Sequence, residues 1–127
     1  MKRVYIYLCM ICFVALGLGL TGCYKDIISP ETDPDGPPQF VSFKEDLAPV
    51  FNKSCALSGC HAPGFHTPTM TLDVSYKSIV NGGYVNTLVP KASKLYIMIT
   101  GEMSEYIPSA KDKAKVFDWI RNGAPNN

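Results

Sequence analysis

At 127 residues the chain has room for one domain, and an N-terminal export segment would leave about a hundred residues for it, which excludes a second core. The 46% hydrophobic fraction is weighted toward the first twenty residues; the rest is less apolar, and a domain this small buries only about 60–70% of its unfolded surface, so an embedded apolar cofactor would stabilise it. Twelve Lys and Arg face eleven Asp and Glu; with Lys2 and Arg3 set aside the balance is ten to eleven and no basic stripe remains, which argues against nucleic acid as a partner.

Lys2 and Arg3 precede Val4 to Leu20, a run of seventeen uncharged, largely apolar residues. This is the layout of a secretory signal; a permanent membrane span, which needs about twenty apolar residues, is the alternative. The run ends in Leu20-Thr21-Gly22-Cys23, which resembles the lipobox of bacterial lipoproteins. The resemblance implies that residues 1–22 are a removed signal peptide. It also implies that Cys23 is acylated, anchoring the chain by lipid in the bacterial cell envelope, with the outer membrane favoured and the domain facing the periplasm or the outside. Cys9 and Cys12 leave with the signal. From 23 to 39 the sequence reads as a tether, because Pro30, Pro34, Gly36, Pro37 and Pro38 interleave with Glu31, Asp33 and Asp35. At about 3 Å per residue it reaches up to about 50 Å.

The domain spans 40–127, and its pattern predicts an all-α fold. Ser42-Phe43-Lys44-Glu45 has capping-box spacing, and Phe43, Leu47, Val50 and Phe51 share a face, giving a helix over about 43–53 that Pro49 should kink. Asp73 is placed to cap a second helix running through Val80 and ended by Asn81-Gly82-Gly83. A third is expected from Ser93 to Thr100, stopped by Gly101. The last starts at Ser109 with Asp112 three residues on, carries Val116, Phe117 and Ile120 on one face, and ends at Gly123. No alternating strand competes, and long loops fall at 54–72 and 101–108.

The first loop contains Cys55-Ala56-Leu57-Ser58-Gly59-Cys60-His61. Two cysteines in an exported chain suggest a disulfide, a metal-ligand pair or a cofactor attachment site. Two cysteines followed at once by histidine resemble the haem-attachment motif of c-type cytochromes, here with four intervening residues in place of two, an insertion that Gly59 would let loop outward. Across Phe40 to Asn127, about seventy per cent of the chain, the resemblance extends to Phe43, Asp46, Pro49, Leu72, Tyr76, Gly82, Pro90, Ser93-Lys94-Leu95-Tyr96, Ile99-Thr100-Gly101 and Trp119-Ile120-Arg121-Asn122-Gly123-Ala124. The chain is similar in this order to small monohaem c-type cytochrome modules of exported bacterial proteins.

That resemblance implies a compact cytochrome c-like helical domain with long loops around one covalent haem c. Cys55 and Cys60 would be joined to the porphyrin and His61 would be the proximal iron ligand. The function implied is single-electron transfer to redox partner proteins in the envelope, not enzymatic turnover. Family members commonly carry a Met-Pro pair before the last helix as the second ligand; here the corresponding pair is Ile107-Pro108. Met103 is the candidate in its place, with Met98 and Met70 as alternatives. Three other readings remain: a haem with an open distal side, ligand-binding or peroxidase-like, with His66 as its acid–base group; a zinc site of Cys55, Cys60, His61 and His66; and a haem-free surface lipoprotein with a Cys55–Cys60 disulfide.

Overall fold

The computed structural model describes residues 32–127. The signal segment, Cys23 and the tether up to Glu31 lie outside the described residues, as does the alternative span over Val4 to Leu20. Among the described residues all regular structure is helical, with no strand, so the fold is all-α. No helix among them is long and apolar enough to cross a membrane.

A π-helical stretch, Phe43–Leu47, runs directly into the α-helix Ala48–Ser54, called α1. The expected proline kink takes this form because Pro49 has no N–H and its ring would collide with a carbonyl one α-turn back. The Ala48 N–H instead reaches five residues back to the Phe43 carbonyl, and the widened turn makes room for the ring. The capping box shifts with it. Ser42 Oγ accepts from the Glu45 N–H at 3.2 Å, but the carboxylate that accepts from the Ser42 N–H belongs to Asp46, at 3.0 Å.

Helix α2 spans Ser75–Asn81. Its start corrects one expectation: Asp73 does not cap it. Val74 holds the capping position without a side-chain bond, and two N–H groups of the first turn are met locally, Val74 and Ser75 both donating to the Thr71 carbonyl. After a 3₁₀ turn at Pro90–Ala92, α3 covers Lys94–Thr100 and α4 covers Ala110–Arg121. Ser109 caps α4 as its spacing predicts, accepting from the Asp112 N–H at 3.1 Å. Ser93 precedes α3, but its hydroxyl is engaged with the backbone of Asn86 instead.

Helix α4 is the spine, packed on the π-helical stretch and on α3. Trp119, fully buried, lies 5.1 Å from the Phe43 ring, and Tyr76 meets Phe43 edge-on at 5.2 Å. Leu47, Phe51, Ile79, Leu95, Ile99, Ile107, Val116 and Ile120 complete the core. The polar tips are satisfied: Trp119 Nε1–H donates to the Pro125 carbonyl at 2.9 Å and Tyr76 Oη–H to that of Ala124 at 3.0 Å. Asn127 closes back on the chain, its side-chain oxygen accepting from the Phe43 N–H at 2.8 Å and its backbone oxygen from that of Lys44 at 3.0 Å. The last turn of α1 and the loops after α1 and α3 are thereby held along one side of this core, around a cavity.

The described end of the tether has neither helix nor strand, but it is not free. Arg121 donates to the carbonyls of Pro34 and Gly36. Gln39 N–H donates to Asp118 at 3.0 Å, and Asn122 donates to the Gln39 carbonyl at 2.8 Å. The stretch from 33 to 39 thus lies against the C-terminal end of α4.

Candidate functional site: a cysteine–histidine cavity

Cys55 follows α1 as its cap, its N–H donating to the Phe51 carbonyl at 2.8 Å. The His61 N–H donates back to the Cys55 carbonyl at 3.1 Å and the Cys60 N–H to that of Leu57 at 2.9 Å, so the motif closes into a small ring of backbone. Gly59 sits in the left-handed region at φ 82°, and Leu57, Ser58 and Gly59 are exposed. The two residues by which the spacing exceeds the usual motif are thus taken up in an outward loop, as Gly59 suggested. The two half-buried cysteines are free thiols. Burial, with a smaller contribution from Cys60, pushes the Cys55 thiol up to about 11, so it is protonated at neutral pH.

The half-buried His61 places Nδ1 2.9 Å from the carbonyl oxygen of Pro68. A carbonyl can only accept, so Nδ1 carries the proton and, in the neutral ring, Nε2 keeps its lone pair. This is how metal-binding histidines are commonly oriented, the second nitrogen anchored to a carbonyl and the first left basic. The surrounding loop is tied down: Met70 N–H donates to the His61 carbonyl at 2.9 Å, His66 N–H to that of Cys60 at 2.9 Å, and Thr69 N–H to Ser78 Oγ at 2.7 Å.

Cys55, Cys60 and His61 line one cavity of about 410 Å³, together with His66, Pro68, Met70, Tyr84, Lys94, Leu95, Met98, Ile99, Met103 and Tyr106. That size lies within the usual range of about 300–1,000 Å³ for cofactor sites. The three methionines singled out from sequence all reach this cavity. Met103 is brought there because its N–H folds back onto the Met98 carbonyl at 2.8 Å, wrapping the loop over the end of α3. Ile107 does not line the cavity; it is 2% exposed in the core. Leu72, Tyr76 and Pro90 are also not among the lining residues.

Among the wall residues, Pro68 and Tyr84 carried no signal in the sequence. Pro68 acts through its backbone carbonyl, which residue type does not reveal. Tyr84 follows the Gly82-Gly83 turn, and its hydroxyl donates to Thr67 Oγ1 at 3.3 Å. Lys94, part of the Ser93-Lys94-Leu95-Tyr96 group that carries the resemblance, is the only lysine or arginine among the described wall residues and lies 5.3 Å from the Tyr84 ring centroid. Among the described residues no three His, Cys, Asp or Glu side chains come together as metal ligands, which weighs against the zinc alternative of Cys55, Cys60, His61 and His66.

The residues present fit a covalent haem. They offer two thiols, an imidazole with its outer nitrogen anchored, thioethers on the same cavity, and walls dominated by apolar groups, with one lysine and no carboxylate among the described wall residues. Compared with known proteins, the chain matches no family model, no curated protein and no solved structure.

Proposed function

We propose that the domain is a cytochrome c-like module that carries one covalent haem and exchanges single electrons with partner proteins in the bacterial envelope, anchored there through lipid on Cys23. The observation that carries the reading is the His61 arrangement: Nδ1 held by the Pro68 carbonyl at 2.9 Å, on a residue that shares its cavity with both thiols. Cys55 and Cys60 would hold the porphyrin by thioethers, His61 would supply the proximal nitrogen, and Met103 the second axial ligand. Bound in this way, haem supplies reversible one-electron chemistry at its iron.

The chain's own residues do the rest. The Pro68 carbonyl fixes the tautomer and aim of His61. Leu95 and Ile99, each 4% exposed, and Met70, 5% exposed, keep the inner wall dry. Lys94, the one lysine among the described wall residues, would offer positive charge to the carboxylates of the group. The Met103 thioether would raise the reduction potential of the group relative to a second imidazole, which suits an electron carrier.

The test uses protein made in a host competent for cytochrome maturation. His61→Ala should lose nearly all covalent haem. Met103→Ala should keep it but, in the ferrous state, change from a low-spin form indifferent to carbon monoxide to one that binds it. Normal haem content in His61→Ala refutes the assignment of the proximal ligand. Carbon monoxide binding by the unaltered protein would favour an open distal side.

A further inference from the structure

Leu88 and Val89 form an apolar tip that nothing in the domain covers: Leu88 is 92% exposed and Val89 55%. The tip is nevertheless held in place. Asn86 Oδ1 accepts from the N–H groups of Leu88 at 3.1 Å and Val89 at 2.9 Å. Ser93, fully buried, accepts from the Asn86 N–H at 2.9 Å and donates to the Asn86 carbonyl at 3.2 Å, pinning the base of the loop. A protein that presents two large aliphatic side chains on a braced turn has already met the ordering cost of using them in a contact.

The occupant follows from where the tether lands. Three residues beyond Leu88, Lys91 pairs with Asp35 at 3.3 Å, next to the Pro34 and Gly36 carbonyls that Arg121 holds. The Cα of Leu88 therefore lies within about 11 Å of that of Lys91, beside the point where the tether meets the domain. Only ten peptide steps separate Cys23 from Asp33, a reach of at most about 35 Å. On a leash of this length the bilayer surface is present at an effective concentration on the order of millimolar, so a contact too weak to recruit a free protein becomes populated.

We infer that the Leu88–Val89 tip inserts into the bilayer that carries the lipid on Cys23 and so holds the domain in one orientation. The inference rests on the lipid-anchor reading. Tyr84 and Lys94, at the two ends of the tip's loop, line the cavity, so this contact also sets which side of the cavity faces the membrane.

A photocrosslinking experiment on the full lipidated chain in phosphatidylethanolamine–phosphatidylglycerol vesicles tests this. A diazirine-bearing leucine analogue placed at position 88 should, after illumination, add the mass of one phospholipid to the chain. The same analogue at position 57, in the exposed cysteine loop, should not. If the chain floats with the vesicles but position 88 gains no phospholipid, or gains a second copy of the chain, the inference is overturned while the anchor stands. If the chain does not float with vesicles, the anchor reading fails and the inference falls with it.

Discussion

Cys55 shows how one side chain is set by its place in the fold. It caps α1 with its thiol turned into an apolar cavity, where burial and the neighbouring Cys60 raise its pKa to about 11. In haem-free chain, alkylation of Cys55 by iodoacetamide should be slow at pH 8 and accelerate only as the pH approaches about 11; rapid labelling of Cys55 at pH 8 would show that the thiol is not buried. The cysteine–histidine group was legible because it is contiguous and its residue types carry the chemistry. The partner that aims His61 was not, since the Pro68 carbonyl is a backbone atom seven residues away whose position depends on how the loop closes. Met103 was singled out by its loop before the last helix, and only the fold shows that Met103, Met98 and Met70 reach the same cavity.

At the scale of elements, the helices were readable where hydrophobic spacing and caps agree, as at Ser109 and along Val116, Phe117 and Ile120. Sequence rules gave way where a local bond had a competitor. Thr71 took the role expected of Asp73, and Ser93 was drawn to Asn86. Pro49 produced a π-helical stretch, because widening the preceding turn removes the clash that the missing N–H alone would not. The turn after α2 carries a tighter constraint. A Cβ on Gly82 would collide with the Ser78 backbone carbonyl and stand 2.6 Å from the Tyr84 ring, which forms part of the cavity wall. Gly82→Ala should therefore destabilise the domain by about 1–3 kcal/mol, read as a lower melting temperature, and, with the proposed haem bound, should alter its Soret spectrum. A variant with an unchanged melting temperature would mean that both the Ser78 carbonyl and Tyr84 yield freely.

Over the whole molecule, long-range polar contacts join the start of the domain to α4, and none of them has a sequence periodicity to betray it. Arg121, Asp118 and Asn122 gather the stretch from 33 to 39, and Lys115 reaches Asp46 at 2.6 Å. Composition identified the proline-rich segment as coreless but could not show that its end is docked, because docking depends on backbone carbonyls meeting one guanidinium. The Lys115 bond, helped by the Ser42 N–H, holds the Asp46 carboxyl below its ordinary value of 3.8. A carboxyl depressed in the folded state stabilises above its unfolded pKa, and that contribution is lost as the pH falls through the folded value. With both side chains about 30% exposed, the pair is worth about 0.5–1 kcal/mol. Asp46→Asn should lower the melting temperature near neutrality and reduce the further loss between about pH 5 and pH 2, measured by thermal melts across that range. An unchanged acid limb would remove Asp46 from the account of acid sensitivity.

Covalent haem on Cys55 and Cys60 is the claim on which the function stands, and intact mass combined with a pyridine haemochrome spectrum tests it most directly. Protein from a maturation-competent host should weigh one haem more than its polypeptide and acyl groups and show a single c-type haemochrome. Substitution of either cysteine should leave at most one thioether. A mass accounted for by amino acids and lipid alone, with no haemochrome, would contradict the assignment.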